Sequence, residues 1–331
     1  LSKEDKAARL TIGYYSASTP ITAISPLRFE RAKKYLTKKN IQLVAGSLTG
    51  KQDYYRSGSI LERAQEINEL IHNADVDVIM ATIGGTNTNA VLPYIDYAYL
   101  QQHPKTFVGY SDATALLLAV KSQAPSCRVL YGPALVASFG EWPPFVDQTW
   151  AAFIKILTNN CQTVTLNAPA YWADEALNWN EYQRAKKQLK NKWGYTGRRE
   201  GKLSGKIIGG NLNTIYGIIA SKYFPKLHSD DLLFIEDAEK DAATVEKNFA
   251  MLKNAGVFDI VKGIVLGKHA LFDDCGSNRT PLVILKEVLD GQDLPIIYGY
   301  DCCHTVPMLT TPLGARAEFD LSAQTVTFSN Y

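Results

Sequence analysis

The stretch Thr106-Phe-Val-Gly-Tyr-Ser-Asp-Ala-Thr-Ala-Leu-Leu-Leu-Ala-Val120 decides the fold of this chain. An apolar run reaches Gly109, turns at Ser111 and enters an alanine- and leucine-rich helix. This is the layout of a nucleophile elbow. A glycine permits the tight turn, the serine stands at its apex, and a small residue, here Ala113, lets strand and helix pack closely. The same letters also spell a Ser-Asp cap on a helix that follows a buried strand. Around the elbow, residues 10–15, 41–45, 76–83 and 128–131 read as strands, and 26–38 and 60–71 as helices. That alternation predicts a parallel sheet covered by helices, an α/β class.

A serine hydroxyl is a poor nucleophile until a base takes its proton, and the base needs an orienting acid. Of the five histidines, His72 reads as a helix end, while His103 and His228 lie in loops. His269, after Leu266-Gly-Lys268, and His304, in Tyr298-Gly-Tyr-Asp-Cys-Cys-His-Thr-Val-Pro307, fall where strands end and sites gather. The acid candidate is Glu236, at the end of the buried-strand run Leu232-Leu-Phe-Ile-Glu-Asp237. Asp237 beside it reads as the cap of the helix at 242–252, a role Glu236 could share. The order Ser111, Glu236, His304 is one of several that build the same triad. For an oxyanion hole, Val76-Asp-Val-Ile-Met-Ala-Thr-Ile-Gly-Gly85 runs a strand into paired glycines. The N–H groups of Gly85 and Asp112 are the candidate donors, although a Gly-Gly pair is also a common turn.

A chain of 331 residues can bury one or two cores. A charged fraction of 21% and a net charge of +2 fit a soluble globular protein and argue against nucleic acid as the main partner. No apolar run reaches the roughly 18–20 residues of a membrane span. The first residues lack the apolar core of a signal peptide, and the chain starts at Leu1 rather than a methionine, so a preceding segment stays open. Five cysteines without regular spacing suit reduced thiols in a cytoplasm. Dispersed histidines and cysteines make no zinc pattern, so no metal and no cofactor are expected.

The expected organisation is an N-terminal domain at 1–158, an aromatic connecting segment at 159–205, and a C-terminal domain at 206–331. The connecting segment holds Trp172, Trp179, Trp193 and a basic run at 184–192 that reads as a solvated helix face. At helical spacing Trp172 and Trp179 would share a face, either to stack on a ligand or to fill the domain junction. The C-terminal part opens on a strand-like run at 203–212. It continues with strands at 232–235, 261–266 and 295–298 and a final β pair at 315–321 and 325–329.

Taken together, Thr82-Ile-Gly-Gly85, Gly109-Tyr-Ser-Asp112, Tyr131-Gly-Pro-Ala134, Gly209-Gly-Asn-Leu212, Leu233-Phe-Ile-Glu-Asp237 and His304-Thr-Val-Pro307 span nearly the whole chain. In this order they resemble the serine carboxypeptidase family of the bacterial LD-carboxypeptidases and the microcin C self-immunity proteins. Leu48-Thr-Gly-Lys-Gln-Asp-Tyr-Tyr-Arg-Ser-Gly58, Ser138-Phe-Gly-Glu-Trp-Pro-Pro144 and Trp172-Ala-Asp-Glu-Ala-Leu-Asn-Trp179 look most similar to the self-immunity branch. The resemblance implies a Rossmann-like N-terminal domain, a β-rich α/β C-terminal domain and an active site at their interface. It also implies a homodimer, no metal and a Ser111–Glu236–His304 triad. Gly85 and Asp112 would form the oxyanion hole, and Trp172, Trp179, Asn211 and Lys240 would bind substrate.

Two positions depart from the pattern: Cys302-Cys303 precede His304 where Gly or Ser is common, and Ala270 stands where the immunity branch tends to be acidic. The implied activity is hydrolysis of the amide-type bond between an aminoacyl group and a nucleotide-like moiety, which confers immunity to a peptide-nucleotide antibiotic. The alternatives are cytoplasmic cleavage of murein tetrapeptides, or a non-catalytic nucleotide-binding module.

Overall fold

The computed structural model describes residues 10–159, 163–180, 185–197 and 201–331. Its N-terminal sheet has six strands in the order Thr311–Pro312, Arg128–Tyr131, Thr106–Gly109, Val78–Ala81, Thr11–Tyr15 and Gln42–Ala45. The last five run parallel, as the alternating pattern predicts. Helices Pro26–Lys38 and Ile60–His72 form where the sequence places them, and a reciprocal Ser59–Glu62 capping box starts the second. Helix Thr114–Gln123 is buried from Thr114 to Val120, which explains why its sequence is apolar all round.

The second sheet has eight strands. Its centre is parallel, in the order Lys202–Asn211, Asp231–Ala238, Gly263–Ala270 and Ile296–Tyr300. Antiparallel strands Arg316–Asp320 and Thr325–Ser329 extend one side. The outer strands, Val164–Asn167 and Gly194–Thr196, come from the connecting segment, which is thereby woven into the second sheet. Strand Thr311–Pro312 crosses back to pair antiparallel with Arg128–Tyr131 of the first sheet. The chain after His304 therefore ties both sheets together.

The connecting segment differs from expectation. Residues 174–178 are irregular rather than helical, so Trp172 and Trp179 share no helix face. In the basic run, Leu189–Lys190 forms a short strand with Tyr171–Trp172 instead of a solvated helix face, and Arg184 lies outside the described residues. Cys127, Cys275, Cys302 and Cys303 are free thiols, and Cys161 lies outside the described residues. Among the described residues, no helix is long and apolar enough to cross a membrane.

Candidate active site

Strand Thr106–Gly109 of the first sheet leads into Ser111, strand Asp231–Ala238 of the second carries Glu236 near its carboxyl end, and His304 lies in the loop after strand Ile296–Tyr300. Strand Thr106–Gly109 delivers Ser111 on a single tight turn, with Ser111 at φ 61°. A positive φ on a non-glycine residue is the strained backbone of an elbow apex. Gly109 and Ala113 allow that turn to close: a Cβ on Gly109 would lie 2.9 Å from the Ala113 Cβ. The reading as a Ser-Asp helix cap does not hold. The helix starts at Thr114 with no side-chain cap, and the Asp112 carboxylate instead accepts the Thr88 N–H at 2.9 Å. Burial pushes the Asp112 carboxyl up, partly offset by hydrogen bonds from Thr88.

The first of the paired glycines presses against this apex. A Cβ on Gly84 would sit 2.6 Å from Ser111 Cβ and 2.7 Å from its Oγ. Gly85, at φ 146°, turns away at a point where a Cβ would meet Ser18 Oγ at 2.1 Å. Both glycines are therefore required by close approach, Gly84 to the Ser111 side chain and Gly85 to Ser18. Gly84→Ala is expected to displace Ser111 and lower turnover by about 100-fold, the cost of roughly 1 Å of misplacement. Labelling by a serine-reactive fluorophosphonate should slow in parallel. Wild-type turnover in this variant would show that the contact is soft.

Glu236 and His304 meet across 68 residues, with His304 Nδ1–H donating to Glu236 Oε2 at 2.7 Å. The other oxygen, Oε1, accepts the Tyr131 hydroxyl at 2.5 Å and Asn211 Nδ2–H at 3.2 Å. Glu236 is fully buried. Burial raises its pKa, but the His304 charge and the three donors outweigh that and hold it below the usual value. Burial also disfavours charge on His304; the Glu236 carboxylate outweighs it and raises the imidazole. The strand register shifts at Glu236, between Ile235 and Asp237, so its side chain is re-aimed. Gly267 on the next strand makes room, since a Cβ there would lie 2.7 Å from Glu236 Cβ.

No hydrogen bond joins Ser111 to His304 among the described residues. The Tyr110 ring lies edge-on to the imidazole at 4.9 Å, which brings the elbow and the histidine into one cleft. Hydrogen bonds of this kind commonly tighten only when substrate is bound.

Asp237 does not cap the following helix. Asp241 does so, accepting Thr244 N–H at 2.7 Å, while Asp237 accepts from Asn211, Asn213 and Ala238. Burial, then the neighbouring charge of Glu236, pushes the Asp237 carboxyl up to about 6. Asn211 spends its amide inside the protein: Nδ2 goes to Glu236 and Asp237, and Oδ1 to the Thr214 N–H and hydroxyl. Lys240 stands beside Asp237 at 3.9 Å and is partly exposed. His269, the other histidine at a strand end, is pushed down to about 4 by burial, and its Nε2 has no hydrogen-bond partner among the described residues.

The two tryptophans face different domains. Trp179 stacks on Arg28 of the N-terminal domain at 4.1 Å, whereas Trp172 lies 5.3 Å from Lys268 of the second sheet. Ala173, next to Trp172, exchanges backbone hydrogen bonds with Val306 at 2.8 and 2.9 Å, which pins the connecting segment to the histidine loop. Trp193 is core, its indole N–H donating to buried Asp301 at 2.7 Å. Sequence reasoning gave no role to Tyr131, Asp301, Gly84 or Gly267. Tyr131 and Gly84 carried a signal, each near a strand end inside a quoted motif.

Comparison with known proteins matches these two halves to the LD-carboxypeptidase N-terminal domain, at residues 12–132, and the LD-carboxypeptidase C-terminal domain, at residues 204–319. The chain belongs to the LD-carboxypeptidase family. It is a hydrolase of that family's two-domain α/β architecture. A Vibrio cholerae relative bearing a carboxypeptidase name is 51% identical over 95% of this chain and 93% of its own. The microcin C7 self-immunity protein MccF of Escherichia coli is 48% identical over 96% of this chain and 93% of its own. A structure of microcin C7 self-immunity protein MccF without ligand matches with a TM-score of 0.94, covering 98% of this chain and 97% of that one. Structures of MccF also exist with aspartyl sulfamoyl adenosine and with glutamyl sulfamoyl guanosine.

Proposed function

We propose that this chain hydrolyses the amide-type bond between an aminoacyl group and a nucleotide-like moiety, and so gives immunity to microcin C-type peptide-nucleotide antibiotics. The observation that supports this best is the buried Glu236–His304 pair beside the Ser111 elbow, on a scaffold closely matching the self-immunity protein. Ser111 Oγ attacks the acyl carbon while His304 Nε2 takes its proton. The imidazolium that forms is held by Glu236 through Nδ1–H. The oxyanion is received by the N–H groups of Gly85 and Asp112. Collapse breaks the bond to the nucleotide-like part, which leaves with the proton from His304. Water, activated by the same histidine, then frees the acyl group from Ser111.

Lys240 supplies an ammonium suited to a carboxylate of the substrate. Asn211 serves this reading as a positioning residue for the acid, since its amide is already committed. Trp172 and Trp179 line the approach from opposite domains. The reading includes a homodimer working in the cytoplasm, where buried Cys302 and Cys303 stay reduced.

The test is a side-by-side assay of an aspartyl sulfamoyl-adenylate and a murein tetrapeptide, with cleavage of the first expected to dominate. Exclusive cleavage of the tetrapeptide would overturn the substrate assignment. In the same assay, alanine at whichever of Trp172 and Trp179 stacks on the base should raise KM for the adenylate about 5- to 100-fold. A small substrate lacking the base should barely respond. Equal losses on both substrates would assign the tryptophans to packing alone.

A further inference from the structure

Tyr131 ends the N-terminal strand Arg128–Tyr131 and is completely buried. Its hydroxyl accepts the Ser111 N–H at 3.0 Å and donates to Glu236 Oε1 at 2.5 Å, a span of 105 residues. The direction is unambiguous, because a backbone amide can only donate and an ionised carboxylate can only accept. One oxygen atom thus joins the backbone of the nucleophile to the acid that holds the base. The ring is wedged edge-on against Phe234 at 5.1 Å, and Cys302 Sγ–H reaches the Tyr131 carbonyl at 3.2 Å. Thr311, on the strand that follows the histidine loop, pairs with Tyr131 in the sheet. Tyr131 is therefore held from the elbow, the acid strand and the histidine loop together. Burial, followed by the Glu236 charge, pushes its phenol well above the ordinary value, so the hydroxyl keeps its proton.

We infer that Tyr131 is a positioning residue for the reaction: it sets the register between the Ser111 elbow and the Glu236–His304 pair across the domain interface. By donating to Oε1 it turns Oε2 toward His304. By drawing charge from the carboxylate it also limits how far Glu236 raises the imidazole. Asn211 adds a longer bond to the same oxygen, but its backbone N–H reaches the Ser111 carbonyl only through the Thr114 hydroxyl, so it does not repeat the single-atom link that Tyr131 makes. The inference rests on the triad assigned above.

The test compares Tyr131→Phe, a 3-fluorotyrosine substitution at the same position, and Ser111→Ala on the sulfamoyl-adenylate substrate. Phenylalanine keeps the ring against Phe234 and removes only the hydroxyl. The expected loss in kcat is about 10- to 100-fold, the worth of a hydrogen bond to a charged group, with KM nearly unchanged. The acidic limb of the kcat/KM profile should move up, since Glu236 then holds its full charge against His304. The more acidic fluorophenol donates more strongly and should move that limb down. A residue that only packs would leave both limbs in place.

Unchanged kcat and pH profile in Tyr131→Phe, with Ser111→Ala inactive, overturns this inference and leaves the triad standing. Retained activity in Ser111→Ala overturns both. If the phenylalanine variant fails to fold, the fluorotyrosine limb decides: a downward shift supports the positioning role, and an absent or upward shift overturns it.

Discussion

Ser111→Ala is expected to abolish hydrolysis, by roughly three orders of magnitude or more, while leaving the melting temperature close to that of the wild type. The methyl group fits wherever the hydroxymethyl did, and the Ser111 hydroxyl caps no helix. The bonds that shape the apex belong to the backbone: the residue-111 N–H to Tyr131 Oη, and the residue-111 carbonyl to the Thr114 hydroxyl at 2.6 Å. Alanine keeps both. What disappears is the one oxygen that could form an acyl-enzyme. Steady-state turnover of the sulfamoyl-adenylate, read with a thermal melt, checks the result. More than about a tenth of wild-type turnover in the purified variant is incompatible with an acyl-transfer mechanism at this residue.

Glu236→Gln should be nearly as damaging, for a different reason. Oε1 faces two donors, Tyr131 and Asn211, and so must remain an oxygen in the glutamine variant. The amide NH₂ then takes the place of Oε2 and points at His304 Nδ1. Two donors cannot face each other, so the imidazole must shift its proton to Nε2, the nitrogen that has to accept from Ser111. A wrong tautomer of this kind costs about 10⁴-fold in serine hydrolases.

The pH dependence carries a second signature. In the wild type, Glu236 raises the His304 pKa against the opposing effect of burial, and in the proposed mechanism the neutral imidazole is the active form. Activity therefore rises with pH through that raised value. Without the carboxylate, burial dominates and the residual activity should begin at lower pH. KM should change little, because Glu236 is fully buried behind His304. A glutamine variant with the wild-type rate and profile would move the orienting role elsewhere, with Asp237 next in line.

The elbow, the strand-helix alternation of the first half and the three triad candidates were legible in the chain because each rests on local physics. A buried strand ending at Gly109, an apolar helix from Thr114 and the capping box at Ser59 and Glu62 are written within a few residues of themselves. The connecting segment was not legible. Its conformation depends on partners far away: Val306 for Ala173, Arg28 for Trp179 and Gln324 for Trp193. Helical spacing across residues 172–179 has no local interaction to enforce it. The assignment of Asp237 as a cap failed for a similar reason. Asp241 lies immediately before the helix and took that role, while the strand carried Asp237 into the site.

By itself, then, the sequence determined the α/β class, the serine at a tight turn, and the carboxylate near a strand end. These follow from side-chain periodicity and turn chemistry, which act over one or two turns of chain. Only the tertiary structure decided which oxygen of Glu236 meets His304, that Tyr131 joins Ser111 to Glu236, and that Asn211 serves the acid. Those outcomes depend on a register shift at Ile235–Asp237 and on a return strand at Thr311–Pro312 that pairs with Arg128–Tyr131. Hydrogen bonds across 68 and 105 residues exist only once two sheets have packed with their carboxyl ends together, and no local pattern encodes that register.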